Sequence, residues 1–295
     1  MSAAASSRLA PFAVACLGIA LFSCMDAIMK GLSIAIGAYN AMFWRSIAGV
    51  LLTAPLFLLM ERRVPHRRTL WLHLWRGLAA ASSILLFFWG LARTPMAQGI
   101  ALSFIAPLIA LGLAAAFLKE RIGSRALTGS IFAFAGVIVI LISRAGENSS
   151  PDAMAGAGAI LIAALSRRLS QAAGPMEVAF AFNLIALALY STAAPVLAVV
   201  PDKSHLLTII MAAISSSISL MLLAWAYARA EAQYLVSVEY TAFIWAALLG
   251  WLMFDERLTL ATFAGAAMIV AGCLWAARNR ADIPPVSSVD PEACA

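Results

Sequence analysis

Two stretches decide how this chain is read: AAAFLKERIG at residues 114–123 and LGWLMFDERL at residues 249–258. Each is an apolar run that ends abruptly in charge, Lys119-Glu120-Arg121 in the first and Asp255-Glu256-Arg257 in the second. Superposing the two glutamates sets an offset of 136 residues (256 − 120). Carried outward without a gap, that offset aligns Ser83 with Ser219, Leu86 with Leu222, Trp89 with Trp225 and Arg93 with Arg229. It also aligns Ala106 with Ala242, Ala110 with Ala246, Gly129 with Gly265, Gly136 with Gly272 and Arg144 with Arg280. Alanine and leucine matches come easily in a hydrophobic chain. Matched Trp, Arg, Glu-Arg and paired Gly do not, so the two halves read as an internal repeat.

The 295 residues are 63% hydrophobic and only 12% charged, whereas a water-soluble domain carries about 25% charged residues. Apolar windows of about 20 residues, the length that crosses a bilayer as a helix, recur along the chain. Ten spans are expected, near 11–29, 40–60, 71–91, 96–118, 124–143, 153–166, 177–200, 206–228, 232–254 and 259–277. Period-2 alternation, the mark of a membrane barrel, is absent. The fold class is therefore an all-α integral membrane protein. Five spans per half is an odd number, so the second half enters the membrane upside down relative to the first, the inverted-repeat design of many secondary transporters. The halves are drawn at 10–144, helices one to five, and 153–280, helices six to ten. The polar, Pro-rich remainder, 281–295, reads as a disordered cytoplasmic tail.

Orientation follows from the basic residues. With the N-terminus in the cytoplasm, thirteen of the twenty Lys and Arg fall in inner segments and five in outer ones. Positive charge is retained inside, so both termini are placed in the cytoplasm of a multi-pass inner-membrane protein. The start, MSAAASSRLAPFAVACLGIALF, has the form of a signal peptide. It runs into Asp26 and Lys30 without a small-residue cleavage pattern, so a retained first helix is expected. The sixth span is anomalous. Only about 12–14 residues precede Arg167 and Arg168, roughly 20 Å of helix against a core of about 30 Å.

Several functions are excluded or left without support. The net charge of +6 is explained by topology and does not imply nucleic acid. Cys16, Cys24, Cys273 and Cys294 form no Cys-x-x-Cys and read as small apolar groups. No zinc spacing, Ser-His-Asp pattern or Walker loop occurs, so no catalytic residue, metal or cofactor is assigned. The partners expected are a small-molecule substrate, membrane lipids and, through the fifth and tenth helices, a second copy of the chain.

Three segments carry a family resemblance. Residues 101–141, ALSFIAPLIALGLAAAFLKERIGSRALTGSIFAFAGVIVIL, resemble the closing helices of the EamA-like repeat in the drug/metabolite transporter superfamily. Residues 230–275, AEAQYLVSVEYTAFIWAALLGWLMFDERLTLATFAGAAMIVAGCLW, resemble its second copy, and FWRSIAG at 43–49 its arginine-bearing second helix. The resemblance covers about residues 10–280 and departs at the sixth helix, which reads shorter than the family pattern. It implies ten helices in two inverted repeats, a central cavity and alternating-access transport of a small organic solute. Members of similar pattern move riboflavin, S-adenosylmethionine, amino acids or metallophores.

Candidate site residues come from the expense of polar groups in lipid, about 2.5–3.5 kcal/mol for a charge at a helix centre. Arg45, beside Trp44 in the second span, can hold an anionic group or stack on a planar ring. Its other reading is a side chain that snorkels to the outer interface. Glu239 in the ninth span is a candidate proton carrier, or else a structural pair with Arg45 or a backbone contact. Asp26 is a second coupling candidate, although Lys30 four residues on can simply neutralise it. Asn183, Tyr240 and Trp245 are placed on the cavity with Trp44 and Arg45. Pro107 is read as a kink in the fourth helix that leaves a carbonyl free. Gly129, Gly136, Gly265 and Gly272 recur every two turns and are read as close-packing positions. A secondary transporter, proton-coupled or exchanging, fits best; a membrane-embedded enzyme, a channel and a lipid scramblase remain alternatives.

Overall fold

The computed structural model describes residues 2–60, 67–106, 124–146, 151–168, 175–229 and 238–277. Every regular element among them is a helix. In chain order these are α1 (Ser2–Ile36), α2 (Ala38–Met60), α3 (Arg67–Leu91), α4 (Met96–Ser103), α5 (Ser124–Gly146), α6 (Pro151–Arg168) and α7 (Pro175–Ser191). They continue with α8 (Lys203–Tyr227), α9 (Ala242–Phe254) and α10 (Leu260–Ala277), and a single helical turn, Ala194–Leu197, lies between α7 and α8. Pro107, Lys119-Glu120-Arg121 and the tail 281–295 lie outside the described residues.

Two segments, Ala10–Ile36 and Lys203–Tyr227, are long and apolar enough to cross a membrane; others, such as Gly77–Leu91 and Thr128–Ser143, are shorter apolar stretches. The distribution of side-chain size reverses that of a soluble protein. On α8 the residues turned inward include Ala212, Ala213, Ser219 and Ala226, while Leu207, Ile210, Ile214, Ile218 and Met221 face out. Small residues let helices approach closely where lipid already solvates the large ones.

The α5–α10 pair shows this most clearly. A Cβ built on Gly136 would lie 2.6 Å from the Gly265 carbonyl oxygen, and one on Gly265 would lie 2.7 Å from that of Gly136. A Cβ on Gly272 would lie 2.5 Å from the Gly129 oxygen. Sequence number rises along one helix as it falls along the other, so the two run antiparallel. All four glycines are thus spent on contact within the chain. The faces turned away from it carry exposed Ile131, Phe134, Ile142 and Phe263.

Elsewhere α1 packs along α8, α3 along α6 and α2 along α7, with α4 against α9. α2 also touches α8, α3 touches α7, α1 touches α9 and α4 touches α6. Hydroxyls tie some of these pairs: Ser83 donates to the Ala163 carbonyl at 2.6 Å, and Ser219 to the Gly18 carbonyl at 2.7 Å. α1 passes to α2 through one residue, Gly37, at φ +84°, a conformation that a Cβ would strain.

The structure differs from the expected spans in four places, the first being the fourth helix, expected over 96–118 and interrupted at Phe104 and Ile105. The sixth helix runs through its arginines to cover 18 residues, about 27 Å. The seventh stops at Ser191 and is followed by the helical turn and an extended segment. The ninth, expected to run unbroken from 232 to 254, is interrupted at Tyr240 and Thr241. Hydropathy reports only that a segment is apolar. It carries no information on whether the backbone stays helical where neighbouring helices can satisfy it.

Candidate functional site

Two helices break where they meet. α4 gives way to a turn at Phe104 and Ile105, and the helical residues before α9 give way at Tyr240 and Thr241. These positions are equivalent at the 136-residue offset. Their hydrogen bonding is equivalent as well: Ile105 N donates to the Leu102 carbonyl at 3.3 Å, and Thr241 N to the Val238 carbonyl at 2.9 Å. Both are three-residue bonds of the tighter 3₁₀ type. The Phe104 and Tyr240 rings meet edge to face, with centroids 5.2 Å apart and planes at 83°. Pro107 has no N–H to give the Ser103 carbonyl, which is where α4 ends.

Arg45 sits on α2 and is 7% exposed. Its Nε and Nη1 have no hydrogen-bond partner among the described residues. Asp26 on α1 and Tyr190 on α7 lie within electrostatic reach of it. Tyr190 is held firmly: its hydroxyl donates to the Ala81 carbonyl at 2.8 Å, and its own carbonyl accepts from the Tyr39 hydroxyl. One turn beyond Arg45, Asn183 fills the space that Gly49 leaves open, its Oδ1 lying 2.6 Å from where a Cβ would be. A guanidinium with unused donors, a buried carboxylate and a buried amide therefore share the seam between α1, α2 and α7. Unused buried donors favour a ligand that brings acceptors.

The expected site residues distribute over several places. Arg45, Asp26 and Asn183 share that seam. Tyr240 stands at the helix break. Trp245 joins a small apolar cluster with Ala15, Ile19, Ala226 and Val238. Trp44 is engaged outside the seam, its indole N–H donating to the Val199 carbonyl at 2.9 Å. Asn40, one turn earlier, accepts from Val199 N at 2.9 Å. Together they clamp the α7–α8 connection to the start of α2. Glu239 is exposed and accepts a hydrogen bond from the Tyr227 hydroxyl at 2.6 Å. It precedes the break instead of lying inside a continuous ninth helix. Pro107, the expected kink, falls outside the described residues.

Sequence reasoning passed over Phe104 and Tyr190. Phe104 was within reach, since it is the aromatic partner of Tyr240 at the repeat offset. Tyr190 carried no such signal, because its importance comes from α3 contacts more than 100 residues away in sequence.

Comparison with known proteins is consistent with this architecture. The model of the EamA-like transporter family matches residues 10–142 and again residues 153–278. The chain is 27% identical to the pseudopaline exporter of Pseudomonas aeruginosa, across 88% of this chain and 93% of that protein. It is 25% identical to a riboflavin transporter of Rhizobium johnstonii, across 89% of this chain and 88% of that one. A solved crystal structure of a protein aligns with a TM-score of 0.61 at 20% identity, covering 91% of this chain and 97% of that one, a likeness of fold.

Proposed function

Because the chain belongs to the EamA-like transporter family, whose members are integral membrane proteins, we propose that it is a secondary transporter rather than an enzyme. It carries a small organic metabolite across the cytoplasmic membrane by alternating access, coupled to protons or to exchange. Ten helices cross the membrane as two inverted halves, residues 10–144 and 153–280, with both termini in the cytoplasm. The observation that carries the reading is the pair of helix breaks, at Phe104 and at Tyr240, equivalent in the two halves and in contact. Broken helices near the midplane are where such carriers form their sites, because unwound backbone offers unpaired polar groups there.

The inverted arrangement is supported by the helix pairing. Exchange α1–α5 for α6–α10 and the contact of α1 with α8 becomes that of α6 with α3. The contact of α1 with α9 becomes that of α6 with α4, and α2 with α8 becomes α7 with α3. All are present. The hydroxyl ties obey the same exchange, since Ser83 reaches from α3 to α6 and Ser219 from α8 to α1. So do two cation–π caps: Arg93 stacks on Trp89 at 3.8 Å and Arg229 on Trp225 at 4.3 Å. The topology is supported by what touches what. Lys30, Thr94 and Glu256 belong to segments assigned outside, and Lys30 contacts both of the others.

The substrate is taken to be a small organic solute that offers acceptors to Arg45, of riboflavin-, S-adenosylmethionine- or amino-acid-like size. Relatives named for pseudopaline export and riboflavin transport support that range. A thermal-shift screen of the purified protein against metabolites tests it, since a ligand stabilises the state that binds it. A hit should be weakened by Arg45→Ala and by Tyr240→Ala, each expressed at parental levels. Unchanged affinity in both variants would move the site away from the α2–α7 seam and the helix breaks.

A further inference from the structure

Segments far apart in sequence converge on one carboxylate. Asp255 closes α9 in the left-handed conformation, φ 52° and ψ 32°, which non-glycine residues seldom adopt and Asp tolerates better than most. That cap folds the chain back, so that Glu256 N donates to the Gly250 carbonyl at 3.1 Å. The Glu256 side chain then lies over Gly250, where a Cβ would sit 2.7 Å from Oε2. The room left by the glycine lets Oε2 accept from Met96 N, the first amide of α4, at 2.6 Å. The other oxygen, Oε1, pairs with Lys30 Nζ near the end of α1. Lys30 is 3% exposed and Glu256 19%. The same ammonium donates to the Thr94 carbonyl at 2.6 Å and lies 5.0 Å from the centroid of the Phe254 ring. A cavity lies against the cluster, lined by Glu256 itself with Pro95, Gln98, Ala246 and Thr262.

We propose that the Lys30–Glu256 pair is the outer latch of the transport cycle, closed in this structure and broken when the pathway opens to the outside. The inference rests on the alternating-access reading above. α4 and α9 are the elements next to the two helix breaks, and Glu256 joins the outer end of one to the outer end of the other. They cannot separate there while its carboxylate holds both Met96 N and Lys30. A charge pair suits a contact that must reverse. Closed, each charge compensates the other out of water; open, both reach water and are hydrated, so neither state leaves a bare buried charge.

The test needs no transported substrate. Ala246→Cys, at a buried position on the cavity wall, serves as reporter in a background with Cys16, Cys24, Cys273 and Cys294 replaced by Ala. A membrane-impermeant charged methanethiosulfonate is applied to intact cells, and to inside-out vesicles for the opposite face. Lys30→Met and Glu256→Gln should each raise the outer labelling rate by roughly a hundredfold, the low end for breaking a buried pair. The double variant should label no faster than the faster single one, because both act on one contact. Lys30→Arg should stay near the parental rate. Glu256→Asp keeps the charge but withdraws it by one methylene and should give an intermediate rise. It also reads the contact if the neutral variants fail to fold. An unchanged outer rate in folded Glu256→Gln, or in Glu256→Asp where Glu256→Gln does not fold, overturns the latch, as do additive effects of the two single variants. Failure of the latch alone leaves labelling from the inner face intact. Absence of labelling from both faces in every variant overturns the carrier reading together with the latch.

Discussion

Gly136→Ala offers a quantitative test of the helix packing. The added methyl would lie 2.6 Å from the Gly265 carbonyl oxygen, 2.9 Å from Met268 Cβ and 3.0 Å from Ile269 Cγ1. The first two neighbours are fixed to the backbone and cannot swing aside. Reaching the 3.4 Å at which ordinary contact begins requires the α5 and α10 backbones to part by about 0.8 Å, the difference from 2.6 Å. A gap of that size forfeits roughly a quarter to a half of the dispersion attraction at each contact it opens. Overpacking of this kind costs about 1–3 kcal/mol. Alanine also favours a helix over glycine by about 1 kcal/mol, which must be separated from the clash. Gly158 supplies the control: it lies within α6, and a Cβ there meets nothing within 4 Å. Gly158→Ala therefore receives the propensity gain without the clash. The two variants should differ by about 1–3 kcal/mol, or several degrees in Tm at about 2–4 °C per kcal/mol. Melting in detergent, followed with a thiol-reactive fluorogenic dye that reports exposure of Cys16 and Cys24, measures the difference. Adding Gly265→Ala to Gly136→Ala should cost less than the sum of the single changes, since both substitutions open the same crossing. A Gly136→Ala protein that melts at or above Gly158→Ala would refute the close α5–α10 contact.

Other outcomes follow from the topology and from the carboxylates. Cysteines introduced at 146–152 should be labelled from outside intact cells and cysteines near 279 should not; labelling at both would reject the ten-span topology. Glu239→Gln retains an acceptor for the Tyr227 hydroxyl, so it should fold normally. With a substrate in hand, that variant should lose pH-driven accumulation in vesicles yet keep exchange, which needs only the loaded carrier to reorient. Full pH-driven accumulation would make Glu239 a structural residue, or place the coupling at Asp26, the buried carboxylate near Arg45, or with another ion.

The helical, membrane-embedded character and the repeat were legible in the residues themselves. Lipid leaves a spanning segment few ways to satisfy its backbone, so local hydropathy is nearly sufficient to define the class. The repeat survives because Trp, Arg, Glu-Arg and paired Gly recur at one spacing. The glycines were read as packing positions from their two-turn spacing; the close approach of α5 to α10 at Gly136 and Gly265 is a feature of the fold. The site was less legible. Arg45 and Asn183 were singled out because polarity in an apolar span is conspicuous, but spacing along the chain gave no hint that they share a seam while Trp44 is engaged by Val199. Lys30 looked like the partner of Asp26 because the two stand one turn apart. The structure brings to it a further partner, Glu256, 226 residues away. That choice depends on a left-handed cap at Asp255, the gap above Gly250 and the meeting of α1, α4 and α9. Local sequence fixes what each segment can be. Which charge answers which is a matter of distance in space, and only the packed bundle sets it.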